Sequence, residues 1–217
     1  QGTVWQGSAR WALVGNTQAD VALPGRVHWQ LGWLAPWAWR WQLRAECCTP
    51  QAIQGEFRWT GAQWQAQVAD GQSSWPLQWL EGLGAPWNTV QPSGQVHVQT
   101  RGLNMQWQKG EPSMRGQVVV RVENVATQLS TLKPLGDYSL KIEPAAADPQ
   151  GPAIAVQVST LDGALKLTGE GQWRAHKLFF RGEATAQADH QAALSNLLNV
   201  MGQRRGAVSV LAIGAPS

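Results

Sequence analysis

Charge is scarce in this chain. Only 14% of its 217 residues are Asp, Glu, Lys or Arg, where a globular domain usually carries about a quarter. The balance is mildly basic, +3 with a pI near 9.2. No run of five or more basic residues gathers it, so a nucleic-acid partner is not indicated. Long hydrophobic runs are missing too: no apolar stretch reaches the ~18–20 residues that cross a bilayer as a helix. There are only two cysteines, Cys47 and Cys48, adjacent in sequence, which excludes both a disulfide framework and the separated pairs of a zinc site. Neighbouring strand side chains point to opposite faces, so a vicinal disulfide needs a local turn, which Thr49-Pro50 could supply. Two unpaired thiols remain the alternative.

Catalytic patterns are equally sparse. The four histidines, His28, His97, His176 and His190, fall in different elements without HxH or HExxH spacing. No GxSxG or P-loop occurs, and Gly169-Glu170-Gly171 is followed by strand-like sequence where a dinucleotide fingerprint needs a helix. Asp137, Glu143, Asp148, Asp162 and Glu170 lie mostly at turns rather than in a converging pair. We therefore expect no catalytic residue, no cofactor and no bound metal.

Glycine and tryptophan are what the chain has in quantity. A glycine followed by alternating apolar residues recurs eight times, at Gly7–Leu13, Gly25–Leu31, Gly55–Gly61, Gly94–Thr100, Gly116–Val122, Gly163–Gly169, Gly171–Ala175 and Gly206–Ala212. Strand side chains alternate with period two, so each unit buries one face and offers the other. The expected fold is mainly β: a long, twisted, curved antiparallel sheet of repeated meander units with one C-terminal helix. A single domain over 1–217 suits the length, and folding would bury roughly 70% of the unfolded surface. It divides into a tryptophan-rich stretch, 1–80, and a second part, 81–217.

Eleven of the 14 tryptophans lie between Val4 and Leu80. Pro36 to Leu43 reads as the strongest strand, with Trp37, Trp39, Trp41 and Leu43 on one face. With Trp29 these form a candidate apolar face, either core or a lipid-holding groove. Between Trp79 and Ser93 the alternation stops in a Gly/Pro-punctuated connection, a candidate partner-contact loop through Leu83, Pro86, Trp87 and Asn88. Asn124–Leu135 reads as a short helix or a docked loop, and Ala145–Gly151 as a hairpin tip. The helix is marked by Asp189 as N-cap and a Leu194, Leu197, Leu198, Met201 stripe ending at Gly202. The fourth place of the glycine units holds Arg10, His28, Arg58, His97, Lys166 and Arg174, a candidate basic face for acidic partners or lipid head groups.

Several motifs together resemble a known family. They are Leu83-Gly84-Ala85-Pro86-Trp87-Asn88-Thr89-Val90-Gln91-Pro92-Ser93-Gly94, Leu129-Ser130-Thr131-Leu132-Lys133-Pro134-Leu135-Gly136-Asp137-Tyr138, and Thr160-Leu161-Asp162-Gly163-Ala164-Leu165 with Gly169-Glu170-Gly171-Gln172-Trp173. Phe180-Arg181-Gly182-Glu183-Ala184 and Leu197-Leu198-Asn199-Val200-Met201-Gly202 follow in order. Over roughly residues 80 to 214 the chain resembles the type II secretion system protein N family. The resemblance implies a non-enzymatic accessory or scaffold component whose N-terminal helix, upstream of Gln1, anchors a periplasmic domain to the bacterial inner membrane. Its partners would be other inner-membrane and periplasmic parts of that machine, met through sheet edges and the Leu80–Gly94 loop. The family is also similar to AsmA-like proteins, which implies the alternative of a lipid-binding or lipid-shuttling groove.

Overall fold

The computed structural model describes residues 2–14, 20–84, 87–108, 111–146, 152–174 and 176–214. Period-two alternation becomes strand after strand. In chain order they are β1 (Gln6–Ala9), β2 (Ala12–Val14), β3 (Asp20–Ala22), β4 (Val27–Ala35), β5 (Ala38–Ala45), β6 (Ile53–Trp59), β7 (Gln63–Val68) and β8 (Gly71–Pro76). A 3₁₀ helix, Leu77–Leu83, and a one-turn helix α1 (Trp87–Val90) lead into β9 (Ser93–Gln108) and β10 (Glu111–Ala126). Next come β11 (Gly136–Pro144), β12 (Ile154–Gly163), β13 (Leu165–Arg174) and β14 (Lys177–Ala186), then helix α2 (Gln191–Met201), β15 (Gln203–Arg205) and β16 (Val208–Ile213).

Fourteen strands form one antiparallel sheet in the order β1-β4-β5-β6-β7-β9-β10-β11-β12-β13-β14-β16-β15, with β8 beside β9; β2 and β3 pair apart. The path starts at β1 and ends at β15 without closing, so the sheet is open. Because β7 and β8 both pair with β9, it runs unbroken across residue 80.

Register pairing puts one apolar row on one side of this whole sheet. Trp33, Trp39, Phe57, Ala66, Met105 and Met114 are successive cross-strand partners. Trp75, Val96, Val122, Tyr138 and Thr160 are another such series. The two series belong to opposite parities of β9, and a bulge reconciles them. Gly102, at φ +57°, and Gly116, at φ +80°, face each other there. A Cβ on Gly116 would stand 2.2 Å from the Gly102 carbonyl oxygen, so only glycine lets the extra residue of β9 fit. The break between β7 and β8 is in step: Asp70 Oδ1 accepts from the Gly102 N–H at 2.6 Å, and Thr100 Oγ1 donates to the Ala69 carbonyl at 3.0 Å.

Two cores sit on the apolar side, both at the end of the strands that carries Val27, Ala45, Tyr138 and Ala184. In one, α2 lays Leu194, Leu197 and Leu198 over Tyr138, Leu165 and Ala184, with Leu129, Leu132 and Leu135 of the β10–β11 loop beside them. In the other, Leu23, Val27, Ala45 and Cys48 are packed with Leu43, Trp75 and Trp79. Cys47 and Cys48 are joined as a vicinal disulfide in the turn after β5. Thr49 Oγ1 accepts from the Ala45 N–H at 2.9 Å and holds that turn.

Several elements differ in detail from the sequence reading. Trp37 is not in β5: the strand begins at Ala38, and Trp37 sits in the β4–β5 turn at φ +67°, because Pro36 cannot continue the strand ladder. The first glycine unit is two strands broken at Arg10-Trp11, whereas the Gly163 unit, whose glycine ends β12, runs on from Leu165 into the same strand, β13, as the Gly171 unit. Asp189 is not the N-cap, since a 3₁₀ turn, Ala188–His190, absorbs it and α2 starts from His190 without a side-chain cap. Of the two readings of Asn124–Leu135, the docked loop is realised and the helix is not. The first three residues complete β10, and Thr127 and Ser130 hydroxyls then accept from the N–H groups of Leu129 and Leu132 at 3.2 and 3.1 Å. Such local bonds compete with helical ones. The Ala145–Gly151 tip falls mostly outside the described residues; the Ala145 N–H bond to the Ala153 carbonyl, 2.9 Å, closes its base.

Candidate functional site

The apolar face is built by the meander itself. Across β4–β7 and β9–β14 its inward positions hold Gly, Ala, Val, Leu, Ile, Met, Phe, Trp, Tyr, Pro, Ser and Thr, and no charged residue. The opposite face carries Gln54, Gln65, Gln67, Gln99, Gln106, Arg121, Lys141 and Glu183 among other polar side chains. The covering layer of β2–β3, the 3₁₀ helix, the β10–β11 loop and α2 is confined to one end of the strands. Toward the other end the apolar row lacks that layer: Trp33 and Trp173 are exposed and most of its other members half-buried, Met114 and Ile154 being the buried exceptions. The surface total reports the same thing: 13308 Å² for a 23.7 kDa chain, against about 9,800 Å² for a compact monomer of that mass.

Tryptophans concentrate at that uncovered end. Trp33 lies 5.2 Å from Trp39, Trp39 lies 6.4 Å from Trp64, and Phe57 and Trp59 each lie 4.7 Å from Trp64, centroid to centroid. Trp107 is the cross-strand partner of Trp64. Contacts of this kind add roughly 0.5–1.5 kcal/mol each beyond area burial. Of the four tryptophans singled out in the sequence, Trp29, Trp39 and Trp41 share this face and are half-buried, while Trp37 stands 62% exposed at the tip. The Trp29 indole N–H reaches the Thr3 and Val4 carbonyls at 3.3 and 3.2 Å. Trp41 lies across Gly55, where a Cβ would come within 2.6 Å of its ring.

The candidate partner loop is anchored at its start, at Gly82. Gly82 is buried against Leu13 of β2. Leu83 and Trp87 are exposed, and the half-buried Asn88 donates its N–H to the Gly84 carbonyl at 3.1 Å. Pro86 lies outside the described residues. Thr127 Oγ1 donates to the Val90 carbonyl and ties α1 to the loop that packs under α2.

The candidate basic residues do not converge. Arg10 is at the exposed bend between β1 and β2, His28 and Arg58 are on β4 and β6, and Lys166 and Arg174 are at opposite ends of β13. Carboxylates are interleaved with them. Glu46 Oε1 is 3.0 Å from His28 Nε2; Glu56 is 2.9 Å from Arg40 and 3.9 Å from Arg58; Glu123 is 3.5 Å from His97. The His28 hydrogen bond, then the Arg26 N–H, hold the Glu46 carboxyl below the usual carboxylate range. Among the described residues no three His, Cys, Asp or Glu side chains come together to hold a metal.

Sequence reasoning gave each glycine unit an apolar row but did not join the rows beyond residue 80 to the tryptophan face, which Val96, Val120, Leu140, Val158 and Phe180 continue. The alternation was there to see; the bulge at Gly102, which swaps the parity, was the missing link.

A family model described as type II secretion system (T2SS), protein N, matches residues 1–210. No curated protein and no solved structure matches the chain.

Proposed function

The chain belongs to the type II secretion system protein N family and so is a component of that secretion machinery; from this footing we propose that it acts there as a non-enzymatic scaffold. In this reading it is a periplasmic domain held at the bacterial inner membrane that contacts other inner-membrane and periplasmic parts of the apparatus. The carrying observation is the exposed pair Leu83 and Trp87, on a connection fastened on one side to β2 through Gly82 and on the other to the β10–β11 loop through Val90. A large apolar pair on a pinned connection suits a partner contact better than a core. Replacing Leu83 and Trp87 together by serine should leave the thermal midpoint within a few degrees and lower type II export of a reporter substrate severalfold in cells. Unchanged export by the folded variant would sink the loop as the contact.

A second reading, an AsmA-like groove that binds or shuttles lipid, draws on a different observation: an uncharged apolar face without a covering layer toward one end of its strands. Acyl chains need only such a surface, wide and free of unpaired polar groups.

A further inference from the structure

The β4–β5 hairpin tip combines three features that nothing inside the molecule explains. First, Trp33 and Trp37 are each 62% exposed and Leu34 is 41% exposed, so five successive residues, Trp33-Leu34-Ala35-Pro36-Trp37, offer three large apolar side chains to the outside. Second, the turn places Trp37 at φ +67° directly after Pro36. In a proline-led turn that position calls for glycine or asparagine, and a bulky residue there is strained. The Trp37 carbonyl accepts from the Trp59 N–H at 2.8 Å. Among the described residues no hydrogen bond or ring contact holds the indole. Strain of this kind persists where it serves a task, and the task here lies outside the fold.

Third, the outer edge of β4 is bare at the tip. Beyond Leu31, whose N–H donates to the Trp5 carbonyl at 2.6 Å, no described strand pairs with Gly32–Ala35 on that side. Behind it Arg40 and Arg58 face the single carboxylate of Glu56, at 2.9 and 3.9 Å. Two cations against one anion leave a local excess of one positive charge.

From these we infer that the β4–β5 tip is a membrane-interface wedge, seating this end of the sheet in the head-group layer of an anionic bilayer. Tryptophan suits that layer because its ring is apolar and its N–H polar. The unpaired backbone of Gly32–Ala35 limits the depth, since bare N–H and C=O groups must stay where water reaches them. Arg40 and Arg58 lie one step back, with aliphatic stems long enough to bring their charges to phosphate. A protein partner adding a strand to the same edge would use the backbone but gives no reason for a strained, outward tryptophan. The inference holds whether the chain is a scaffold or a lipid holder.

Co-sedimentation of the 217-residue chain with sucrose-loaded vesicles tests it. The unmodified chain should pellet with mixed phosphatidylethanolamine and phosphatidylglycerol vesicles, and less with phosphatidylcholine alone. Trp33→Ser with Trp37→Gly should weaken binding on the order of tenfold or more. Trp37→Gly alone should hold or raise the thermal midpoint, because glycine accepts the left-handed turn, so lost binding there cannot be ascribed to unfolding. Failure of the unmodified chain to pellet, or undiminished pelleting of the double variant, overturns the wedge. So does a chain that ignores vesicles but is dimeric by light scattering and becomes monomeric on Trp37→Gly, which would make the tip a contact between copies.

Discussion

Tyr138 ties the C-terminal core to its sheet. Its hydroxyl, buried under α2, donates to the Leu165 carbonyl at 3.0 Å, and burial, with Asp137 next in sequence, pushes its ionisation well above the usual range. The folded pKa is raised above that of the unfolded chain, about 10, so this contribution is complete below pH about 10 and is lost as pH climbs further. Because the protein has only one tyrosine, tyrosinate absorbance reads this group alone. The folded chain should show none until well past pH 10, while the chain in denaturant titrates near it; coincident curves would contradict the buried bond. At this scale the sequence was an uneven guide. It marked Leu194, Leu197 and Leu198 as core, which they are, but its picture of Trp37 in the strand failed, because a proline-fixed turn lies upstream of any side-chain periodicity.

Among the elements, α2 has the most to lose from a single cavity. Leu194 and Leu198 are 0% and 1% exposed, whereas Val200 on the same helix is 66% exposed. Leu194→Ala should cost about 2–5 kcal/mol of unfolding free energy, and Val200→Ala within about 0.5, in denaturant melts of the two variants. Equal effects would mean that the helix does not cover the sheet as described. The strands and this helix were legible because alternation and a 3.6-residue stripe are local signals. The β10–β11 loop was not, since side-chain to backbone bonds at Thr127 and Ser130 and packing under α2 decide its path. The disulfide was likewise open in sequence, as adjacency allows either outcome until the turn geometry is set.

For the whole molecule the consequential feature is a one-sided sheet covered at one end. Its surface exceeds that of a compact monomer by about 3,500 Å², as an open sheet not folded over on itself requires. If that face holds acyl chains, native mass spectrometry of the gently purified chain should show lipid adducts, and Trp39→Glu with Val158→Glu, two charges set into the face, should remove them. A chain with no adducts would leave the face to protein contacts alone.

Composition, glycine spacing and alternation were enough to determine an antiparallel β meander with an amphipathic helix near its end, because strand and helix periods are written in neighbouring residues. The family motifs located it within a secretion machine. Which face is apolar on every strand, and that it stays open at one end, was decided only in three dimensions. The parity of β9 and β10 depends on the bulge at Gly102 and Gly116, and the cover depends on where β2–β3, the 3₁₀ helix and α2 come to rest. Both follow from contacts between residues far apart in the chain.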